Sequence, residues 1–215
     1  MTRNSFALPL DAASLATAAW PHDESGKPVP GGPYTYPALA AAGPWSTPSN
    51  LLRYAVAVRD SASGEKGSIL DQSLATAMLR PGKGEWGLGL EVHPTPADGA
   101  FVHGGSNEGH ENFLIAYTGS GDGVAVMING AQGAELGSEI TRSVAAAYGW
   151  PSYHSVKRAS VPIPADIRAR VIGTYAVSGL GFFSVTPNGP SLAISLKEGV
   201  SEPLYASAPD SNFVL

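Results

Sequence analysis

Apolar positions first fall into a helical rhythm after residue 47. Leu51, Leu52, Ala55 and Val58 make one stripe, Thr47 is a good N-cap and Pro48 suits the first turn, so a helix is predicted over residues 48–61. Asp71 caps a second helix that runs to Leu79, with Leu74, Ala75 and Met78 on one face and Pro81-Gly82 as the stop. A third is predicted over residues 134–148: Leu136, Ile140 and Val144 stand four apart, and Gly149 with Pro151 ends it. Between the second and third helices the period changes. Trp86-Gly-Leu-Gly-Leu-Glu-Val92 alternates large and small residues, and Ala100-Phe-Val-His103 reads as a short strand ending at Gly104-Gly105. Residues 112–118 and 123–128 are near-continuous apolar runs on either side of a glycine-rich hairpin loop, the pattern of strands covered on both faces. Helix, helix, strands, hairpin, helix gives an α+β fold, with helices packed on a mostly antiparallel sheet.

The two ends of the chain read differently. Residues 1–45 have little periodicity, and residues 21–37 hold five prolines and three glycines, which predicts a long loop. At the other end, residues 152–162 are polar and proline-bounded, a linker. Beyond it, residues 163–215 form short apolar segments separated by turn pairs such as Asn188-Gly189 and Asp210-Ser211, a small β unit. The predicted organisation is therefore a domain over residues 1–151, a linker over 152–162 and a partial β domain over 163–215. The final residues, Phe213-Val-Leu215, read as mid-strand.

Composition removes several function classes. Of 215 residues, 43 % are hydrophobic and only 14 % charged, which excludes wholesale disorder. A net charge of −5 without a basic stripe gives no nucleic-acid footprint. The absence of cysteine excludes disulfide scaffolding, thiolate metal ligation and thiol catalysis. No apolar run approaches the ~20 residues that cross a bilayer. The opening MTRNSFALPLDAAS does not lead from basic to apolar residues and on to a small-residue cleavage site, so it is not read as a signal peptide, and the compartment is left open.

The densest polar cluster is Phe101-Val-His-Gly-Gly-Ser-Asn-Glu-Gly-His-Glu111. A histidine followed by Gly104 and Gly105 lets the backbone approach another group closely and aim N–H groups at it, which suits a hole for a developing oxyanion. A glycine-rich hairpin with an incidental histidine fits the same letters. His93, His103, His110, Glu108 and Glu111 lie close in sequence, but their spacing is not that of a helical metal-binding pair. No metal or other cofactor is expected, and His93 is placed in a proline-bounded turn. Ser63-Gly-Glu-Lys66 is the one Ser-x-x-Lys match. It falls in a flexible turn that cannot hold the lysine amine against the hydroxyl, so it is read as a decoy. Glu111 and Asp122 read as solvated strand-end carboxylates, not as a catalytic pair.

Three segments, Ala42-Gly-Pro-Trp-Ser-Thr-Pro-Ser-Asn50, Trp86-Gly-Leu-Gly-Leu90 and Phe101-Val-His-Gly-Gly-Ser-Asn-Glu-Gly109, resemble in order and spacing the serine β-lactamase-related hydrolases. These are the class C β-lactamases, DD-peptidases (penicillin-binding proteins) and family VIII esterases. The hairpin of residues 113–129 and Ala147-Tyr-Gly-Trp-Pro151 continue the likeness, Met1-Thr-Arg-Asn-Ser-Phe6 resembles a further family segment, and the whole spans about residues 1–155. Residues 163 onward resemble the start of the small lipocalin-like barrel often appended to these enzymes. The resemblance implies a transpeptidase-like fold that hydrolyses amides or esters through an acyl-enzyme, without a cofactor. It also implies roles for His103-Gly104-Gly105 as the family's third motif, with His103 supporting the substrate and the backbone N–H of Ser106 supplying half of the oxyanion hole. Family members are often periplasmic or secreted.

The family's Ser-x-x-Lys nucleophile and Tyr-x-Asn/Ser base lie upstream of everything matched, and this chain has neither in a suitable position; Tyr153-His-Ser155 and Tyr205-Ala-Ser207 fit the second pattern in the wrong places. The chain is therefore expected to be a fragment, an internal or C-terminal piece or a split or mis-started reading frame, inactive alone. Its small-molecule amide or ester substrate would belong to the full-length parent, and a separate N-terminal half is a candidate partner. The strand over residues 124–128 should then have an uncovered apolar edge. The alternatives are a non-catalytic binding or complementing module and an unrelated metal- or ligand-binding α+β protein.

Overall fold

Helix formation, hairpin closure and core packing can be followed in a computed structural model, which describes residues 4–93, 99–155, 157, 159–177, 181–197, 200–208 and 212–214. The chain divides into two units, residues 1–154 and 155–215.

The first unit opens with two one-turn helices, α1 (Ala12–Leu15) and α2 (Leu39–Ala42), in the stretch whose apolar positions show no periodicity. The segment between them is ordered by the hairpin it lies against. His22 N–H donates to the Gly109 carbonyl (3.4 Å), Ala131 N–H donates to the His22 carbonyl (2.9 Å), and the Asn129 amide donates to the Trp20 carbonyl (2.9 Å). Gly109 is required there twice over. Its φ of +72° makes the turn, and a Cβ on it would stand 2.5 Å from Pro21 Cβ.

Helix α3 (Pro48–Ser63) starts as the sequence predicts: the Thr47 hydroxyl accepts from Asn50 N–H (3.3 Å) with Pro48 in the first turn, and Gly64 ends it in the left-handed conformation at φ +77°. Helix α4 (Gln72–Met78) follows and packs on α3. Then come β1 (Glu91–His93), β2 (Ala100–Asn107), β3 (His110–Tyr117) and β4 (Gly123–Ile128), antiparallel in the order β1-β2-β3-β4, and finally α5 (Gly133–Tyr148). Both faces of the sheet are covered. On one, Ala55 and Val58 of α3 pack with Leu90, Phe101, Leu114 and Ala116. On the other, Ala145 of α5 packs with Ala100, Val102, Ile115, Tyr117 and Trp150.

Four expectations are corrected. The strand begun at Ala100 does not stop at Gly104-Gly105 but runs to Asn107, because Gly104 pairs with Phe113 and Gly105 with Asn112, and the chain turns at Glu108-Gly109 instead. The Trp86–Val92 strand shortens to β1, since residues 86–90 fold into a loop closed by Gly87 N–H donating to the Leu90 carbonyl (2.8 Å). His93 accordingly lies in β1 and not in a turn. Helix α5 buries Gly133, Gly137, Thr141 and Ala145; of the predicted stripe, Val144 is half-buried against the core and Ile140 half-buried, but Leu136 is exposed. Small residues face the sheet because the Phe113 ring fills the space a side chain at 137 would need: a Cβ on Gly137 would stand 2.4 Å from Phe113 Cε2.

The second unit contains α6 (Ala165–Val171), which the sequence reading missed, and an antiparallel sheet in the order β5 (Gly173–Val177), β6 (Gly181–Asn188), β7 (Ser191–Lys197), β8 (Val200–Ala208) and β9 (Asn212–Val214). Ile163, Val185, Leu192, Leu204 and Ala206 form its core, with Ile167 and Val171 of α6 against them. Asn188-Gly189 makes the β6–β7 turn, with Gly189 at φ +56°. The end of the predicted linker is already part of this unit, since Val161 N–H donates to the Ala206 carbonyl (2.9 Å). The predicted Asp210-Ser211 turn, Met1 to Arg3 and Leu215 lie outside the described residues.

Candidate functional site

Strand β2 is core at its start and surface at its end. Ala100, Phe101 and Val102 are buried, whereas His103, Gly104, Gly105 and Ser106 are exposed. The change has two causes. Strand β1 ends opposite Val102, so no strand among the described residues pairs with the outer edge of residues 103–107, and alternate backbone N–H groups there face open space. Helix α3 covers the face only as far as Leu90, Phe101 and Leu114. The sheet outruns its helix, and the uncovered surface forms a groove of about 290 Å³ lined by Leu51, Tyr54, Leu90, His103, Asn112 and Met127, among others.

Register decides what faces this groove. His103 stands opposite Leu114, and Gly105 opposite Asn112, itself opposite Met127, so these residues share the α3 face of the sheet. The His103 imidazole lies edge-on to the Trp86 indole, with centroids 6.1 Å apart. Ser106 pairs with Glu111 on the opposite face, and its hydroxyl donates to Glu111 Oε1 (2.6 Å). Ser106 can therefore serve the groove through its backbone only. Tyr54 of α3 is half-buried, and that burial pushes its phenol above the ordinary tyrosine range. The sequence reading did not select Tyr54, Trp86 or Asn112. Only the alternation of Asn112 with Leu114 and Ala116 hints at its face.

A second cavity of about 340 Å³ adjoins the groove and shares Ala42, Pro44, Ser46, Asn107, Asn112 and Met127 with it. The segment around α2 forms its wall. Asn107 donates to the Ala42 carbonyl (3.0 Å), Glu108 N–H donates to the Tyr36 hydroxyl (2.8 Å), and Trp45 lies edge-on to His110 at 5.6 Å.

The other candidates separate. Glu111 is bonded to Ser106 and His110 lies against the Ala19 carbonyl (3.2 Å), so neither joins His103 or His93 in a metal cluster. Ser63 closes α3 and does not lie beyond it, and its hydroxyl donates to the helix carbonyls of Arg59 (3.2 Å) and Asp60 (3.1 Å), with Gly64 breaking the helix before Lys66. Tyr153 packs against the α5-side core, and Tyr205 is exposed on β8. No helix among the described residues is long and apolar enough to cross a membrane.

No curated protein matches the chain. By fold it is similar to the crystal structure of SurE (22 % identity, TM-score 0.52, covering 87 % of this chain and 45 % of that one). It is likewise similar to the octameric penicillin-binding protein homologue from Pyrococcus abyssi (19 % identity, TM-score 0.56, covering 95 % and 47 %). The chain thus spans less than half the length of either structure. The Beta-lactamase family model matches residues 1–149, which include the helix α3, the sheet and the exposed His103-Gly104-Gly105 edge, and the chain belongs to that family.

Proposed function

We propose that this chain forms the oxyanion-side wall of an acyl-transfer site in a β-lactamase-related serine hydrolase, and that the attacking serine comes from a segment outside it. The observation that carries the reading is the open edge of β2: residues 103–106, paired with β3 on one side, have no strand on the other side among the described residues and are exposed beside a groove. In the reaction, a serine hydroxyl gives its proton to a lysine amine and bonds the carbonyl carbon of a β-lactam, D-Ala-D-Ala peptide or ester. Negative charge moves to the carbonyl oxygen, where the Ser106 N–H would donate to it. The bond to the leaving group then breaks as a proton passes to that group, and water releases the acyl chain from serine. Removing one oxyanion donor typically costs about 3 kcal/mol of transition-state stabilisation. His103, held against Trp86, would support the substrate.

The chain alone is then inactive, since Ser63 is spent on its own helix carbonyls. A complementing N-terminal polypeptide would supply Ser-x-x-Lys and Tyr-x-Asn, and it would find an edge to pair with. Strand β4 pairs only with β3 among the described residues, and all of it but Val126 is half-buried. The β unit of residues 163–215 is read as the start of a lipocalin-like domain.

The test is intact-mass analysis of the chain with a fluorophosphonate or penicillin probe, then co-expression with such an upstream polypeptide. We expect no adduct on the chain alone. The pair should hydrolyse esters at a rate that Ser63→Ala leaves unchanged and His103→Ala lowers. An adduct on the isolated chain overturns the reading. A second reading, non-catalytic ligand binding, is favoured by the adjoining cavity walled by Tyr34, Tyr36 and Trp45. It requires saturable binding of an acyl ligand without the partner.

A further inference from the structure

Away from the groove, on the α5-side face of β1, three donors meet that the function above does not use. Glu91 and His93 are two residues apart on β1, so they share one face, while Val92 between them turns into the core at 7 % exposure. Glu85 reaches them by a backbone device: the loop of residues 83–90 folds back along the strand, and Val92 N–H donates to the Glu85 carbonyl (2.6 Å) while Trp86 bridges Glu91. His93 Nε2 is 2.9 Å from Glu91 Oε1 and 3.8 Å from Glu85 Oε2. The three donor atoms lie within 4.8 Å of one another.

We propose that Glu85, Glu91 and His93 bind a first-row divalent transition ion of the zinc type. Geometry favours it. A tetrahedral ion with bonds of about 2.0–2.1 Å sets its donors about 3.3 Å apart; the two histidine-to-carboxylate separations of 2.9 and 3.8 Å bracket that value, and the two carboxylates lie within 4.8 Å of each other. Donor chemistry favours it as well. One imidazole and two carboxylates suit a borderline ion, whereas calcium takes six to eight oxygens and magnesium an octahedron of them. Charge gives a third argument. Neither glutamate forms an ion pair with a lysine or arginine among the described residues, and their only positive partner would be His93 itself, if protonated. Two converging carboxylates with a neutral imidazole carry a charge of −2 that a divalent ion cancels. The fourth position opens to solvent past Glu85, whose side chain is 68 % exposed. An ion here would pin the 83–90 loop to β1. It would thereby fix the position of Trp86, the residue against which His103 rests.

The metal-stripped 215-residue chain without an affinity tag is titrated with zinc chloride by calorimetry, and with cobalt(II) by visible absorption. The expected result is one equivalent bound with a Kd below about 10 µM, and intense tetrahedral cobalt bands. Glu91→Gln and His93→Ala should each weaken binding about tenfold or more, and Glu65→Gln should not. Histidine-ring NMR on the unaltered chain covers the case in which a variant fails to fold, because zinc should shift the His93 signals before those of any other histidine. Absence of saturable binding up to about 100 µM zinc, unchanged affinity in folded Glu91→Gln and His93→Ala, or first response at another histidine overturns the proposal.

Discussion

Replacing Gly137 with alanine opposes two effects whose sizes can be set against each other. In an exposed helix interior the change stabilises by about 1 kcal/mol, because alanine loses less backbone entropy. At this position the new methyl would stand 2.4 Å from Phe113 Cε2 and 2.7 Å from Cδ2, more than 1 Å inside ordinary carbon contact. Overpacking of that kind costs about 1–3 kcal/mol. The Phe113 ring is half-buried and cannot swing freely, since Glu111 and Ile115 flank it on the same face. We therefore expect Gly137→Ala to destabilise the first unit by about 1 kcal/mol net. The assay is equilibrium urea unfolding followed by far-ultraviolet circular dichroism. A double-mutant cycle with Phe113→Leu isolates the clash, and the pair should recover about 1 kcal/mol or more. Phe113 stands directly opposite Gly104, so the single variant should also shift the His103 ring resonances on the far side of the sheet. Stabilisation by Gly137→Ala alone would refute the close packing of α5 on β3.

Phe101 is fully buried in the α3-side core, two residues from His103 on the same face; Phe101→Ala should cost about 3–5 kcal/mol in the same urea assay. Thr47→Ala removes the hydroxyl that caps α3 and should cost about 1 kcal/mol. The Asp23 carboxylate accepts from the Ser25 hydroxyl and from the N–H groups of Ser25 and Lys27, with the Ser25 hydroxyl the largest influence, and these bonds hold it below the usual 3.8. A depressed folded-state pKa adds stability above the unfolded value and loses it as pH falls through the folded one. Protection of the residue 22–29 amides against exchange, taken relative to the intrinsic rate at each pH, should accordingly fall in that acidic window, and Asp23→Asn should abolish the fall.

Much of the fold was legible because its signals are local. Thr47-Pro48 and Gly149 delimit helices through groups only a few residues away, Asp71 stands at the N-cap of α4 without a side-chain cap bond, and the runs at 112–118 and 123–128 announce covered strands by composition alone. What failed depends on partners distant in sequence. The buried face of α5 is set by the Phe113 ring, not by the helix's own leucine and isoleucine. The end of β2 is set by β3, which supplies partners through Gly104 and Gly105 despite their poor strand propensity. The fold-back of residues 83–90 that brings Glu85 to His93 rests on the bond from Val92 N–H to the Glu85 carbonyl, which no residue pattern announces. Residues 103–106 stood out in the sequence because two adjacent glycines in a strand are costly to explain by packing. Tyr54, Trp86 and Asn112 were not, because their common groove exists only after folding.

Burial along β2 and β3 explains why the groove lies where it does. Strand β2 is buried at its start and exposed at its end; β3 is half-buried at its start and fully buried from Leu114 to Tyr117. The strands are antiparallel, so the two buried ends coincide: Ala100 stands opposite Tyr117 and Val102 opposite Ile115. On the α3 side the buried contacts concentrate at that end, whereas on the other face α5 continues over Phe113 and Ile128 through Gly137 and Gly133, so the far end of the sheet is left open on its α3 face. Gly104 and Gly105 sit in that uncovered half, where a larger side chain would gain no burial and would obstruct the edge. A polar carbonyl group could approach the strand there without displacing any core residue. The same strand can therefore hold the domain together through Phe101 and leave an open backbone edge at Ser106, because the two fall on opposite sides of the point where β1 and α3 end.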